Sequence, residues 1–274
     1  MSKPVKIELY KQAIDIASQK PYDECIQSLK NFSSSKFLEL EKHENTISSN
    51  SDKLSKSALK FVIEQYSVFS RESIHMLVDA MLRNYDWPEL FKELQENINE
   101  ERGKFTNDVP HLEIMRRGYK QDLNIDTDNV SHCCATSAFI KKMKHIFNNN
   151  DNAYSAGALL AFEGHAVAEF WNIDDIINFY NGKDKLDNNT LTKIYVLGHK
   201  DFEIGHEEHL KQSISPYINK NNIRNLCLGY MMVSLTMNTW WQQLYIECQR
   251  IDIEEVFKPE SIEEFDINTR FKKQ

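Results

Sequence analysis

Three histidines and a carboxylate recur at helical spacing in one segment, VLGHKDFEIGHEEHL, from Val196 to Leu210. At about 100° per residue, His199, Glu203 and His206 fall within roughly 60° of one another on a helix surface. Imidazole, carboxylate and imidazole at i, i+4 and i+7 are what one helix must offer to hold a metal ion between helices. His209 sits about 80° from the His199 direction, at the margin of that stripe. The competing reading is a charged solvent face, to which Asp201, Glu207 and Glu208 would belong.

Two other segments carry residue types that could join such a site. From Ala153 to Glu169, AYSAGALLAFEGHAVAE, the small residues Ala153, Ala156, Gly157, Ala158, Ala161, Gly164 and Ala166 make a thin helix that neighbours can approach closely. Glu163 stands in the middle of it, and a buried carboxylate needs a partner, which a cation would supply. The alternative is a surface glutamate. His165 and Glu169 are expected to point elsewhere or near the rim. In NINEERGKFTNDVPHLEIMRRGY, Asn97 to Tyr119, one helix ends at Glu100-Glu101-Arg102-Gly103 and another starts at Pro110-His111. Carboxylate and imidazole from the two helix ends could meet at one point. An ordinary acidic cluster beside a helix start is the alternative. His43, His75, His132 and His145 belong to no comparable stripe and read as core or surface histidines. Vicinal Cys133 and Cys134 are poorly placed to chelate one metal. A G-x-S-x-G turn and a Gly-rich phosphate loop are both missing from the sequence.

The elements that must position these residues read as helices joined by short polar stretches. Apolar positions at helical spacing run over 4–31, with a break at Pro21, and over 58–85. Pro88 opens 89–102, and further helices are expected over 111–119, 127–147, 153–180, 190–214 and 223–250. Residues 45–57 read as a loop or cap, 103–110, 148–152 and 181–189 as joints, and the tail after 251 as irregular. The aromatic last helix, with Tyr230, Trp240, Trp241 and Tyr245, reads as core. With 8 Gly and 6 Pro in 274 residues, below the average usage of roughly 7% and 5%, a barrel or sandwich is disfavoured. The expectation is an all-α, single-domain helical bundle of seven to nine helices spanning 1–274.

Charge and cysteine content narrow the setting. There are 33 Lys and Arg against 41 Asp and Glu, a net charge of −8. That argues against nonspecific nucleic-acid or anionic-membrane binding. Five scattered Cys without a CxxC fit a reducing compartment better than a disulfide framework or a thiolate zinc site. The N-terminal MSKPVKIELYKQ has no apolar signal region, and Leu226–Trp241 is too short and too interrupted to span a bilayer. A cytoplasmic protein is expected.

Taken in order, the three segments resemble the haem-oxygenase-like, non-haem diiron oxidase superfamily. Its members include alkene-forming fatty-acid decarboxylases, N-oxygenases of nitroso biosynthesis, and a protein that sacrifices its own side chain to make p-aminobenzoate. The resemblance rests on Asn97, Glu100, Glu101 and Gly103 followed by His111, then Glu163, then His199, Glu203 and His206, and it spans about 58–250. It implies a haem-oxygenase-like bundle with Glu101, His111, Glu163, His199, Glu203 and His206 as ligands to two ions. Glu101, His111 and Glu163 would hold one, and His199, Glu203, His206 and a shared Glu163 the other. Carboxylates and imidazoles without thiolates suit Fe(II)/Fe(III), with Mn(II) as the alternative ion. The implied activity is that of an O2-dependent oxidoreductase acting on a small-molecule substrate: a fatty acid, an amino acid, or a side chain of the protein itself. A homodimer is compatible with this reading. Where the family usually offers Asp, this chain has Glu203. The long gap from Glu101 to His111 leaves Glu100 as a rival ligand, and His209 is a rival for His206. Two other classes stay open: a non-catalytic helical interaction protein, and a metal-free small-molecule enzyme on the same fold.

Overall fold

The structure, a computed structural model, describes residues 3–36, 46–182 and 186–256; side chains are described over 8–34, 46–182, 186–199 and 205–256. The described residues form ten α-helices and two short 3-10 turns, with no strand among them. The helices are α1 (Lys3–Ala17), α2 (Tyr22–Lys36), α3 (Ile47–Asn50), α4 (Lys56–Arg83), α5 (Pro88–Glu101), α6 (His111–Leu123), α7 (Cys134–Phe147), α8 (Asn152–Tyr180), α9 (Leu191–Ile214) and α10 (Ile223–Val256). No helix among them is long and apolar enough to cross a membrane.

Local chemistry sets most boundaries. Pro88 occupies the first turn of α5, and Pro110 immediately precedes α6, positions where a missing N–H costs nothing. Side chains of Ser55, Asp151 and Thr190 accept hydrogen bonds from the first turns of α4, α8 and α9. Each satisfies a backbone donor that the helix itself leaves orphaned. Between α5 and α6, Gly103 has a φ of 106°, and a Cβ there would lie 2.7 Å from the Asp108 carbonyl carbon. Glycine is therefore required for the tight reversal that brings the end of α5 back to the start of α6.

Several boundaries differ from the sequence reading. The helix expected from 127 begins at Cys134, because the preceding loop finds tertiary partners instead. Gln65 bonds Ser131 O and Cys133 N, while Arg71 bonds the carbonyls of Asp128 and Val130. Residues 45–57 include α3 and a 3-10 turn, α6 continues to Leu123, and α10 continues past 251 to Val256. His43, part of the 181–189 joint and the tail from 257 lie outside the described residues.

The central element is α8. It packs against α4, α7, α9 and most extensively α10, so buried residues occur around most of its circumference. Its small residues permit this. A Cβ on Gly157 would lie 1.9 Å from Leu226 O, and one on Gly229 would lie 1.8 Å from Tyr154 O. The α8–α10 contact is thus backbone against backbone. Trp240 and Trp241 of α10 are buried beside it, within a cluster that includes Tyr66, Phe69, Phe139 and Phe170. This rigid α4–α8–α10 core leaves a cavity toward α5, α6 and α9, where the candidate residues meet.

Candidate metal centre

The cavity of about 70 Å³ is lined by residues of α4, α5, α6, α8 and α9, among them Asn97, Glu101, Glu163, Glu169, His199 and His206. That is several times the roughly 10–15 Å³ needed to hold one water. Its walls are otherwise largely aromatic, with Tyr66, Phe69, Phe162, Phe170 and Tyr195.

At one end, Glu101 from the last turn of α5 meets His111 from the first turn of α6 and His199 from α9. Glu101 Oε1 lies 3.2 Å from His111 Nδ1 and 3.3 Å from His199 Nε2. One ligand-type atom from each of the three residues lies within 4.8 Å of the other two. Both imidazoles are buried, with ring centroids 4.7 Å apart. Burial disfavours the Glu101 carboxylate. The hydrogen bonds and charges of His111 and His199 outweigh it and hold the group well below the usual carboxylate range.

The His199 ring has a defined orientation. Its Nδ1 is 2.8 Å from the Tyr195 carbonyl, one turn earlier on α9. A carbonyl only accepts, so Nδ1 carries the proton and Nε2 is the atom aimed at Glu101. A histidine so anchored through one nitrogen presents the other in a fixed direction, the arrangement found behind metal-ligating imidazoles. The rings of Tyr195 and Phe170, with centroids 4.3 and 4.9 Å away, pack against it.

Beside this group, His206 pairs with two other carboxylates. Its Nε2 is 2.8 Å from Glu100 Oε2, and its Nδ1 is 3.8 Å from Glu163 Oε2. Glu163 is buried, as is most of the His206 side chain. The partition differs from the one implied by resemblance: His199 joins Glu101 and His111, whereas Glu163 faces His206. The adjacent glutamates diverge because consecutive residues on a helix point about 100° apart. Glu100 thus enters alongside Glu101 instead of replacing it. His209 does not join them; its largely exposed side chain lies 3.6 Å from Glu93 on the outer surface of α5. Glu203 belongs to α9 between the two histidines, and its side chain lies outside the described set.

One expectation on α8 is corrected. Glu169 does not sit at the rim: it is buried, lines the cavity, and accepts a 2.6 Å hydrogen bond from Trp241 Nε1. Buried residues occur on most of the α8 circumference, so Glu169 packs inward between α8 and α10. His165 is buried among apolar neighbours and bonded to Ser234 Oγ at 2.6 Å. Burial pushes its pKa down to about 3, with a smaller effect from Lys30, so it stays neutral at ordinary pH. A further residue of the cavity is Asn97, quoted in the sequence motif without a role. It is 2% exposed, and its Nδ2 has no hydrogen-bond partner among the described residues. Its position one turn before Glu100 and Glu101 was the available signal.

The pattern of a family described as a domain of unknown function with solved structure, DUF3865, matches residues 23–247. Two crystal structures of a CADD-like protein of unknown function from Nostoc punctiforme, at 2.00 and 1.35 Å resolution, share the fold. They superpose with TM-scores of 0.78 and 0.75 and sequence identities of 23% and 22%. Each alignment covers 83% of this chain, and 98% and 96% of the respective Nostoc chains. No curated protein matches the sequence.

Proposed function

This chain belongs to the DUF3865 family, and we propose that it is an O2-dependent oxidoreductase. It would hold two iron ions, or iron and manganese, in the carboxylate–imidazole cavity and oxidise or cleave a small organic substrate there. The observation that carries the proposal is the convergence of Glu101, His111 and His199 from three helices on one buried point. His206, Glu100 and Glu163 form a second group beside it.

The donor set fits the ions. Hard carboxylate oxygens with imidazole nitrogens and no thiolate suit Fe(II) or Mn(II). Glu101, His111 and His199 would hold one ion. Glu100, Glu163 and His206 would hold the other, with Glu203 on the same helix stripe. Bound iron would supply the electrons for O2 reduction. The remaining work falls to the chain itself. The Tyr195 carbonyl fixes the His199 tautomer, and Trp241 fixes the Glu169 carboxylate. Phe69, Phe162 and Phe170 give the chamber an apolar wall.

The decisive experiment is anaerobic Fe(II) titration followed by O2 exposure with an optical readout. Two equivalents and an O2-dependent absorption change are expected. His206→Ala should retain one tightly bound equivalent, and His209→Ala should retain both. Full iron content and unchanged O2 uptake in His206→Ala would remove that residue from the site. Absence of stoichiometric iron in the wild type would leave a metal-free enzyme or an interaction protein.

A further inference from the structure

Three polar side chains of the cavity that the proposed metal groups do not use, Ser70, Ser73 and Glu169, present acceptors. Ser70 Oγ donates its proton to Tyr66 O at 3.1 Å, and Ser73 Oγ donates to Ser70 O at 2.9 Å. Both hydroxyls therefore turn lone pairs, not protons, toward the cavity they line. Glu169 adds a carboxylate held in place by the Trp241 indole. No Lys or Arg occurs among the described lining residues. Besides the Tyr66 and Tyr195 hydroxyls, the wall holds a buried donor with no partner among the described residues, Asn97 Nδ2. Leaving such an amide unsatisfied costs about 1–3 kcal/mol, a cost that a bound acceptor would remove.

We infer that the chamber binds a small molecule carrying a protonated amine and an oxygen acceptor on an apolar body, with Glu169 anchoring the amine and Asn97 the oxygen. This rests on the cavity being the substrate chamber of the proposed oxidase. An ammonium group needs acceptors and gains from aromatic faces, and Ser70, Ser73, Glu169 and the Phe69, Phe162 and Phe170 rings provide both. In the metal-free chain a free carboxylate on the ligand would meet Glu169 as repulsion, with no Lys or Arg in the lining to anchor it. Glu169 and Asn97 are thus specificity-determining residues that touch substrate, distinct from the ions' ligands.

The test compares 2-phenylethylamine, phenylacetate and 2-amino-1-phenylethanol at pH 7 by calorimetry on the full metal-free chain. The amine should bind at least about 10-fold tighter than phenylacetate, and the amino alcohol tighter still. Glu169→Gln keeps the acceptor for Trp241 but loses the charge; it should bring the amine and the carboxylate to within about 3-fold. Asn97→Leu should erase the gain from the hydroxyl and leave the amine preference in place. Tighter phenylacetate binding by the wild type, or an undiminished amine preference in a folded Glu169→Gln, would overturn the amine anchor. Equal affinity of the wild type for the two amines would overturn the role of Asn97. The wild-type comparisons need no variant to fold. A chain that takes no iron yet prefers amines sustains this inference while the oxidase reading fails. One that takes two irons without the preference does the reverse.

Discussion

Glu101→Gln is the sharpest single perturbation of the cavity, because one carboxylate oxygen serves two imidazoles from two different helices. The substitution keeps the size and one acceptor atom while removing the charge that strengthens both hydrogen bonds. Bonds to a charged group contribute about 1.5–3 kcal/mol each. Here the two are long, at 3.2 and 3.3 Å, and the Glu101 side chain is 25% exposed. A combined loss of about 1–2 kcal/mol in the metal-free protein at pH 7 is the expected value. The pH dependence has a definite sign. The folded-state pKa of Glu101 lies below its ordinary value of 4.5. Its stabilisation is therefore fully present above that value and disappears as pH falls through the folded pKa. Urea denaturation of wild type and variant at pH 7, 5, 4 and 3 should show a stability gap that holds above about pH 4.5 and closes below it. Taking the difference between the two proteins cancels every other titrating group that the substitution does not touch. The same variant should lose iron affinity by more than the roughly 10–100-fold typical of removing an outer partner of a ligand. A gap absent at pH 7, or one that widens between pH 4 and 3, would refute the assignment of Glu101 as the ionised hub.

Other positions give independent checks. His165, with its pKa pushed down to about 3 by burial, is neutral when folded and takes up a proton when unfolded. It should cost about 1.4 kcal/mol of stability per pH unit below about 6.5, levelling off near pH 3, and His165→Gln should flatten that slope in urea denaturation. Gly157→Ala would place a methyl 1.9 Å from Leu226 O and must push α8 and α10 apart; a loss of about 3 kcal/mol or more is expected by thermal or chemical denaturation. Trp241→Phe removes one donor to the buried Glu169 carboxylate and should cost about 2–4 kcal/mol from the lost charged hydrogen bond and the lost ring volume together, whereas an effect under about 0.5 kcal/mol would show that the indole bond contributes little.

What could be read from the sequence was what depends on local geometry. His199 and His206 share a helix stripe because seven residues make nearly two turns, and both do reach the cavity. Pro88, Pro110, Asp151 and Thr190 mark helix starts by their own chemistry. What escaped was decided by packing between distant segments. The stretch 127–133 reads as the start of a helix, but Gln65 and Arg71 from α4 take up its backbone groups. Glu169 was unreadable for a different reason: α8 packs against α4, α7, α9 and α10, so periodicity says little about which of its buried residues faces a cavity. Glu100 and Glu101 face different imidazoles, His206 for the one and His111 and His199 for the other, a division set by where α6 and α9 pack.

The adjacent glutamates also break a local rule, in a way that points to the site. A helix C-terminus carries partial negative charge, favours cations in its last turn, and penalises each carboxylate there by about 0.3–1 kcal/mol. The last turn of α5 holds Glu100 and Glu101 and no basic residue. Beyond the Arg102 cap and the nearby Lys104 charge, α6 and α9 bring His111, His199 and His206 against these carboxylates. Those imidazoles offset the carboxylates when protonated, and they can be ligands only when the nitrogen facing the ion is not. Two cations would replace the protons and satisfy both carboxylates and the helix terminus at once. A local conflict offset by tertiary partners is where function is to be sought, and here those tertiary partners are all groups capable of binding a metal.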